Sequence, residues 1–443
     1  MVALKKKKFT RTSKKGGKKI VAKKPVKKTV NKKLVPKKPI KKIPTLRKTQ
    51  GKKKKVVKKI TKKVVKKKVV KKPAIKAKKK IVKPRRLKKK VGVKLKRSVR
   101  NPVMAPSPYH WESHAVFNPA AVVSGGRVHL FYRALGPDGV SRIGYASSKD
   151  GIHFDVRMTY PVYVAKSFQE AQKHWPYTSP ARLVYDPTLY QSGGGWGGCE
   201  DPRAVVIDGT VFMTFNMFNG WHSMRVGVTS IKETDLLNKK WLWNNFAYLS
   251  RPGDRQKNWV LFPEKINGKF ALFHNLDLGD PKRVYISYMN ELSMDEAPQV
   301  GQALDPQLIP DHIVAWHKRT RSASAPPIKT KDGWLLLYHA MDKNDGGRYK
   351  VGALLLDLKD PQKVLYRAPA PILEPDMWYE NDYKPGIVYA SGAVVKDGKL
   401  LVYYGGGDKY IGLASIKLTE LLEHLKQNKA VHLKKEQTIN PNL

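Results

Sequence analysis

From about residue 101 the chain writes one short pattern five times, and no other feature restricts its fold as much. An apolar or β-branched run follows a tight turn at 127–133, 210–215, 269–274, 334–339 and 399–404. The turns are Ser124-Gly-Gly, Asp208-Gly, Asn267-Gly, Asp332-Gly and Asp397-Gly. Asn-Gly and Asp-Gly favour hairpins because type I′ turns need positive φ at both central residues. A further run precedes each turn, and a third follows each hairpin, as in Arg142-Ile-Gly-Tyr-Ala and Tyr410-Ile-Gly-Leu-Ala. Pro119, Pro202, Pro263, Pro327 and Gly392 align at nearly even spacing, apart from a longer first interval that takes in the Pro- and Gly-rich stretch 160–198. Antiparallel units of three or four strands in series at such a period predict an all-β fold, a five-bladed β-propeller. A pair of β-sandwiches is the alternative. Helix periodicity is confined to a short segment starting at Leu418.

The first hundred residues obey different rules. They hold 48 Lys and Arg and no Asp or Glu, so the remainder of the chain holds 88 − 48 = 40 basic against 34 acidic side chains. Self-repulsion at that density prevents a core, and burying the interspersed Val and Ile would drag ammonium groups out of water. Residues 1–100 are therefore expected to be a disordered Lys-rich tail, and 101–430 the folded body. Lysines at this density bind nucleic acid or another polyanion by neutralising phosphates and releasing counterions. Phe9 is the tail's one aromatic residue, so base stacking is not the mode. The alternative reading is a solubilising or targeting extension.

Composition also excludes. A lone cysteine, Cys199, allows neither an internal disulfide framework nor a Cys-based zinc site. No stretch approaches the roughly 20 apolar residues that span a bilayer, and no apolar core follows the cationic start. The expected location is intracellular, cytoplasmic or nuclear, and no metal or cofactor is implied.

In a propeller, residues at equivalent blade positions converge although a whole blade separates them in sequence. The first runs open with different polar groups: Asn118, Asp201, Glu264 and the segment Arg319-Thr-Arg321. An Asp before Pro is often only a turn residue. Strand alternation puts Glu200 on the face opposite Asp201 and Arg203 on the same face, where its charge would depress the Asp201 pKa. Sugar faces stack on aromatic rings, and the body offers Trp196, Trp221, Trp259, Tyr338, Trp378 and Tyr404. Core packing is the alternative for each.

The strings Gly198-Cys-Glu-Asp-Pro-Arg203, Phe131-Tyr-Arg133-Ala, Leu261-Phe-Pro-Glu-Lys and Val402-Tyr-Tyr-Gly-Gly-Gly-Asp408 together resemble glycoside hydrolase family 130. That family contains β-mannoside phosphorylases and related β-mannosidases on a five-bladed propeller. The resemblance runs from about Asn101 to Leu418. It implies Asp201 as catalytic acid, passing its proton through a sugar 3-hydroxyl. It implies Asn118, Arg133 and Asp408 as sugar ligands, with Tyr338 as a further substrate contact. Lys257, Asn258, Arg321 and His339 are implied to hold inorganic phosphate, the co-substrate. Lys257 stands where many members have Arg, and Asn275 where they often have Arg; a lysine offers a point charge in place of a bidentate fork. If water attacks instead, a second carboxylate must act as base, and Glu264 and Glu380 are the candidates. An acid working near neutral pH needs a raised pKa. A non-catalytic glycan-binding propeller, or a scaffold tethered by the tail, is the competing class.

Overall fold

The computed structural model describes residues 92–164, 195, 197–219, 224–244, 246–253, 256–276, 283–296, 298–303, 316, 319–342, 345, 347–427. Side chains at 219, 275, 276, 283, 301–303 and 319–321 are excepted. Trp196, Trp221 and the tail to residue 91 lie outside the described residues, as does the side chain of Asn275.

Strands dominate, and the described α-helices are Glu233–Leu237 and Leu418–Lys426. All five copies of the sequence pattern form antiparallel meanders. Module I comprises Ala115–Ser124, Arg127–Leu135, Val140–Ser148 and Val156–Arg157. Module II comprises Gly197–Ile207, Thr210–Asn219, Met224–Lys232 and Ala247–Tyr248. Module III runs through Val260–Leu261, Phe270–Leu276, Arg283–Met289 and Gln299–Ala303. Module IV pairs Arg319–Ala323 and Ile328–Thr330 with Gly333–Met341, then Lys350–Leu356 and Val364–Arg367. Module V has Val388–Lys396, Lys399–Gly406 and Tyr410–Lys417. Modules I and II share one sheet through a short parallel pairing of Val140 and Ser141 with Gly197 and Gly198.

The turn chemistry is as expected at four hairpins. Gly125-Gly126, Asp208-Gly209, Asn267-Gly268 and Asp397-Gly398 all have positive φ at both residues. Module IV differs: Thr330 pairs with Gly333, so Lys331-Asp332 is the turn and Gly333 already opens the strand.

Hydrophobic clusters lie between successive modules. Phe131 and Tyr145 of module I pack with Met213 and Phe215 of module II. Val226 joins Leu272 across II and III, Phe273 joins Leu336 across III and IV, and Leu337 joins Val402 across IV and V. Module V packs back on module I, with Leu401 and Tyr403 against Val128 and Leu130.

One packing device recurs. Tyr132, Tyr338 and Tyr404, each on a module's second strand, lie over Gly144, Gly352 and Gly412 of the third strand. A Cβ on any of these glycines would fall 2.3–2.4 Å from the ring. A fourth-strand arginine then comes beside the tyrosine: Arg157 over Tyr132 and Arg367 over Tyr338, at 5.8 and 5.6 Å. In module V that arginine is Arg97, and its strand Lys96–Arg97 pairs with Ser415 and Ala414.

This corrects the boundary read from composition. Residues 92–100 carry tail-like charge but belong to the fold. Leu95 is buried, and the Asn101 side chain donates to the Leu413 carbonyl and to the Tyr379 hydroxyl, both at 2.9 Å. Arg97 grips Glu380 through Nε and Nη2, each at 2.8 Å. Glu380 also accepts from the Tyr404 hydroxyl and from the backbone N–H groups of Asp376 and Met377. Removing one partner of a buried ion pair typically costs about 3–5 kcal/mol. A chain starting at Gly92 should therefore unfold in urea like the full chain. Arg97→Ala, or a chain starting at Asn101, should lose stability on the order of 3 kcal/mol, read from the urea midpoint.

Candidate active site

The first strands of modules I, II, IV and V each carry a one-residue bulge. Pairing shifts between Phe117 and Ala120, Glu200 and Arg203, Thr320 and Ser322, and Ala390 and Gly392. In modules I and II the bulge falls on Asn118-Pro119 and Asp201-Pro202, with φ of 47° at Asn118 and 49° at Asp201. Asn and Asp tolerate this left-handed conformation better than other residues with a Cβ, and proline adds no N–H needing a ladder partner. A bulge re-aims side chains. Here it turns the Asn118 and Asp201 side chains toward each other: Asn118 Nδ2 donates to Asp201 Oδ1 at 2.7 Å.

The bulge also overturns the expected facing of Glu200. Simple alternation put it opposite Asp201, yet both carboxylates meet Arg133. Arg133 Nη2 donates to Glu200 Oε1 at 2.8 Å, and Nη1 lies 3.4 Å from Asp201 Oδ1. Arg133 Nε is held by the Ser141 hydroxyl at 2.9 Å. The positive φ at Asp201 breaks the alternation, so adjacent residues share one cation.

Lys257 completes the cluster from module III, with Nζ 3.4 Å from Glu200 Oε2 and 5.5 Å above the Phe218 ring. Asn216, directly across the ladder from Glu200, sets that placement. Its amide donates to Asn258 Oδ1 at 3.0 Å, and its Oδ1 accepts from the Asn258 N–H at 2.8 Å. Asn258 has φ 59° and stands just ahead of the short strand Val260–Leu261, so it is the module III counterpart of Asn118 and Asp201. The alignment on Pro263 that singled out Glu264 is thereby corrected. A longer lead-in to the hairpin puts Glu264 in an exposed turn, where it pairs with Lys329 at 2.7 Å.

Asp408 enters from module V, in the turn after Gly406. It is buried, pairs with Lys384 at 2.8 Å, and its charge reaches Arg133. The glycines ahead of it are explained by close approach: a Cβ on Gly405 would fall 2.0 Å from Asn118 Oδ1. Arg203 lies behind the acid. It donates to the Asp201 and Pro202 carbonyls at 2.9 and 3.1 Å and to the Tyr389 hydroxyl at 3.2 Å. His339 stacks on Tyr389 at 4.1 Å with its Nδ1 3.2 Å from the Ser322 hydroxyl. It thus joins the group through Tyr389.

Of the residues singled out in the sequence, Asp201, Asn118, Arg133, Asp408, Lys257 and Asn258 come together, with His339 one ring removed. Tyr338 does not. It is the module IV copy of the Tyr-over-Gly device, buried against Trp316 and Arg367, and its role is packing. Glu380 is saturated by Arg97, Tyr404 and two backbone donors. The Arg321 side chain lies outside the described residues. Glu200, Asn216 and Lys384 were missed. Glu200 was misplaced by the alternation rule, and the other two carry no motif. Among the described residues no cluster of His, Cys, Asp or Glu could hold a metal.

The Asp201 side chain is 10% exposed. Burial is the largest single influence on its pKa and pushes it up. Arg133, Lys257 and Arg203, with the Asn118 hydrogen bond, outweigh burial and hold the carboxyl below its ordinary value. The raised pKa expected of the acid is therefore not that of the ligand-free site.

A family model described as beta-1,4-mannooligosaccharide phosphorylase matches residues 184–427. The 1,2-beta-oligomannan phosphorylase of Thermoanaerobacter sp. is 36% identical over 338 residues, 74% of this chain and 98% of that protein. The chain belongs to glycoside hydrolase family 130. A beta-1,2-mannobiose phosphorylase of the same organism is 35% identical over 72% of this chain and 96% of its own length. The structure of the Listeria innocua beta-1,2-mannobiose phosphorylase in complex with beta-1,2-mannobiose shares the fold. Its TM-score is 0.54 at 23% identity, covering 75% of this chain and 99% of that one.

Glu200→Gln should loosen both cations it binds. Misplacement on the order of 1 Å can cost about 100-fold. The variant should keep its fold by circular dichroism while kcat/KM for glycoside cleavage falls about 10- to 100-fold. An unchanged rate would show that Glu200 positions nothing.

Proposed function

We propose that this family 130 enzyme catalyses inverting phosphorolysis of β-mannosides, releasing mannose 1-phosphate, with Asp201 as general acid. We further infer that its five modules are the blades of a propeller and that the reaction centre lies where their first strands converge. The propeller reading is supported by the succession of module interfaces that returns from V to I. The observation that carries the function is a nearly buried carboxyl, Asp201, hydrogen-bonded to Asn118 and beside Arg133, in a mannoside-phosphorylase family.

Phosphorolysis is favoured over hydrolysis by the carboxylates. Water needs a general base; phosphate is already a nucleophile and needs cations that hold it beside the anomeric carbon. Glu264 is on the surface and Glu380 is enclosed by donors, so neither sequence candidate for a base is at hand. Glu200 is engaged by two cations, Arg133 and Lys257. Lys257 instead offers an ammonium group, 23% exposed, for an incoming anion.

In the reaction, phosphate oxygen attacks the anomeric carbon from the face opposite the glycosidic oxygen. That bond breaks, and the Asp201 proton, relayed by the sugar 3-hydroxyl, neutralises the leaving oxygen. Asn118, Arg133 and Asp408 hold the mannosyl unit. The acid must be protonated when the bond breaks, yet the cations around it favour its carboxylate. A phosphate anion beside Lys257 offsets those cations and raises the Asp201 pKa. Phosphate binding should then draw in a proton above the folded-state pKa. Calorimetry in two buffers of different ionisation heat should give more proton uptake for wild type than for Asp201→Asn. Equal uptake would remove the coupling.

Incubating β-1,2-mannobiose with and without phosphate tests the reaction itself. Mannose 1-phosphate should form only with phosphate, and Asp201→Asn should lose about 10²–10⁴-fold in rate, the usual worth of a positioned general acid. Free mannose released equally without phosphate would assign hydrolysis instead.

The Lys-rich segment is proposed to bind polyanions. The full chain should elute from heparin at higher salt than a chain starting at Gly92. Equal elution would leave the segment without that role.

A further inference from the structure

The buried carboxylate of Glu380 takes no part in the proposed reaction, yet five hydrogen bonds reach it. Two come from Arg97, two from the N–H groups of Asp376 and Met377, and one from the Tyr404 hydroxyl. The Glu380 backbone begins a path from this anchor to Asp408. Its carbonyl accepts from the Ile387 N–H at 3.2 Å, the Ile387 carbonyl from the Gly407 N–H at 3.1 Å, and the Gly407 carbonyl from the Lys384 N–H at 2.9 Å. Asn381 braces the same segment: its amide donates to the Met377 carbonyl at 2.8 Å, and its Oδ1 accepts from the Gly386 N–H at 3.0 Å. The Lys384 side chain then returns to Asp408 Oδ2 at 2.8 Å. Residues 376–387 are thus a bracket laced to the turn that carries Asp408. The contact is close, since a Cβ on Gly406 or Gly407 would fall 2.9 or 3.0 Å from the Tyr379 carbonyl oxygen.

A second path is shorter. The Tyr404 hydroxyl donates to Glu380 Oε1 at 2.8 Å. Gly405, next in the chain, lies against Asn118, where a Cβ would fall 3.0 Å from the Asn118 backbone nitrogen. Two of the groups proposed to hold the mannosyl unit, Asp408 and Asn118, therefore rest on elements that Glu380 fixes. What fixes Glu380 is remote in sequence. Arg97 spans both of its carboxylate oxygens, and Arg97 Nη2 also donates to the Glu374 carbonyl at 2.6 Å, just ahead of the bracket. A guanidinium fork holds orientation as well as charge, which an ammonium group does not.

We propose that Arg97, acting through Glu380, is a positioning residue for mannoside binding: the forked pair holds the 376–387 bracket so that Lys384 sets the Asp408 carboxylate. The proposal rests on the phosphorylase reading, because it takes Asp408 as a ligand of the mannosyl unit. It goes beyond the stability that Arg97 lends to the fold. Lys257, proposed to meet the phosphate, stands on module III and is no part of the bracket, so loosening the bracket should weaken sugar binding and spare phosphate.

Phosphorolysis of β-1,2-mannobiose by the full chain separates the two effects. Arg97→Ala, assayed where circular dichroism shows it folded, should raise the mannobiose KM about tenfold, the usual worth of one hydrogen bond, and leave the phosphate KM within about twofold. Arg97→Lys, which keeps the charge without the fork, should fall between Arg97→Ala and wild type. A merely structural role would reduce the amount of active enzyme and so the apparent kcat, with both KM values unchanged; that result would overturn the proposal. Lys384→Ala cuts the path at its other end, on a partly exposed side chain, and keeps the test open should Arg97→Ala fold poorly. Its mannobiose KM should rise alike, and an unchanged KM would break the path. The double variant should be no worse than Lys384→Ala alone, whereas effects that multiply would show that Arg97 acts elsewhere. Calorimetric titration with β-1,2-mannobiose in the absence of phosphate separates the proposal from the reading it rests on. Affinity falling in Arg97→Ala and Lys384→Ala, in a protein that performs no phosphorolysis, would sink the phosphorylase reading and keep the positioning role. Affinity equal to wild type in both, in a protein that does phosphorolyse, would sink the positioning role alone.

Discussion

The Arg133 guanidinium is 2% exposed, and a charge so far out of water survives only with partners. Its desolvation is offset by Glu200, Asp201 and the field of Asp408. The partners come from two other modules: Glu200 and Asp201 from the first strand of module II, Asp408 from a turn of module V. Arg133 itself stands on the second strand of module I. One buried cation therefore ties three modules together at the point where the chemistry is proposed to occur. The same requirement explains why two acidic residues adjacent in sequence both turn inward, against the period of a strand.

That double turn depends on the bulge. A flat ladder would place Glu200 and Asp201 on opposite faces, leaving Arg133 with one buried partner. The left-handed residue at 201 is a local cost on the order of 1 kcal/mol or more, tolerated because aspartate suits it and the surrounding bonds fix it. Asn118 adopts the same conformation in module I and supplies the amide that meets the carboxyl. The Asn-Pro and Asp-Pro pairs are thus one structural device used twice, once for the proposed sugar ligand and once for the proposed acid. Asn258 is a third occurrence without proline, which is why a search guided by proline passed over it.

What was legible in the sequence follows from this. The five hairpins were readable because turn residues and β-branched runs act locally. The family motifs placed Asp201, Asn118, Arg133 and Asp408 together, whereas the repeat makes only Asn118 and Asp201 equivalent, each at a first-strand bulge. Tyr338 was misread because a tyrosine beside a histidine looks the same whether it faces a ligand or a glycine. Only the pairing of Tyr132, Tyr338 and Tyr404 with Gly144, Gly352 and Gly412 reveals its packing role. The edge of the folded body was misread because Lys96 and Arg97 share the charge of the tail. Their strand is defined by Ala414 and Ser415, at the far end of the folded body, and composition contains no trace of that pairing.

The charges around Asp201 bear on the choice of nucleophile. Arg133, Lys257, Arg203 and Lys384 face Glu200, Asp201 and Asp408, so the cluster with its acid ionised carries one positive charge in excess. A neutral water molecule changes nothing in that balance and leaves the Asp201 pKa depressed by the cations. A phosphate dianion would reverse the balance, and one proton on Asp201 would restore neutrality. On the proposed mechanism, the nucleophile that the cations attract is also the one whose arrival protonates Asp201. A site built for hydrolysis would need the opposite arrangement, a second carboxylate freed from cations, and Glu200 is bound to two.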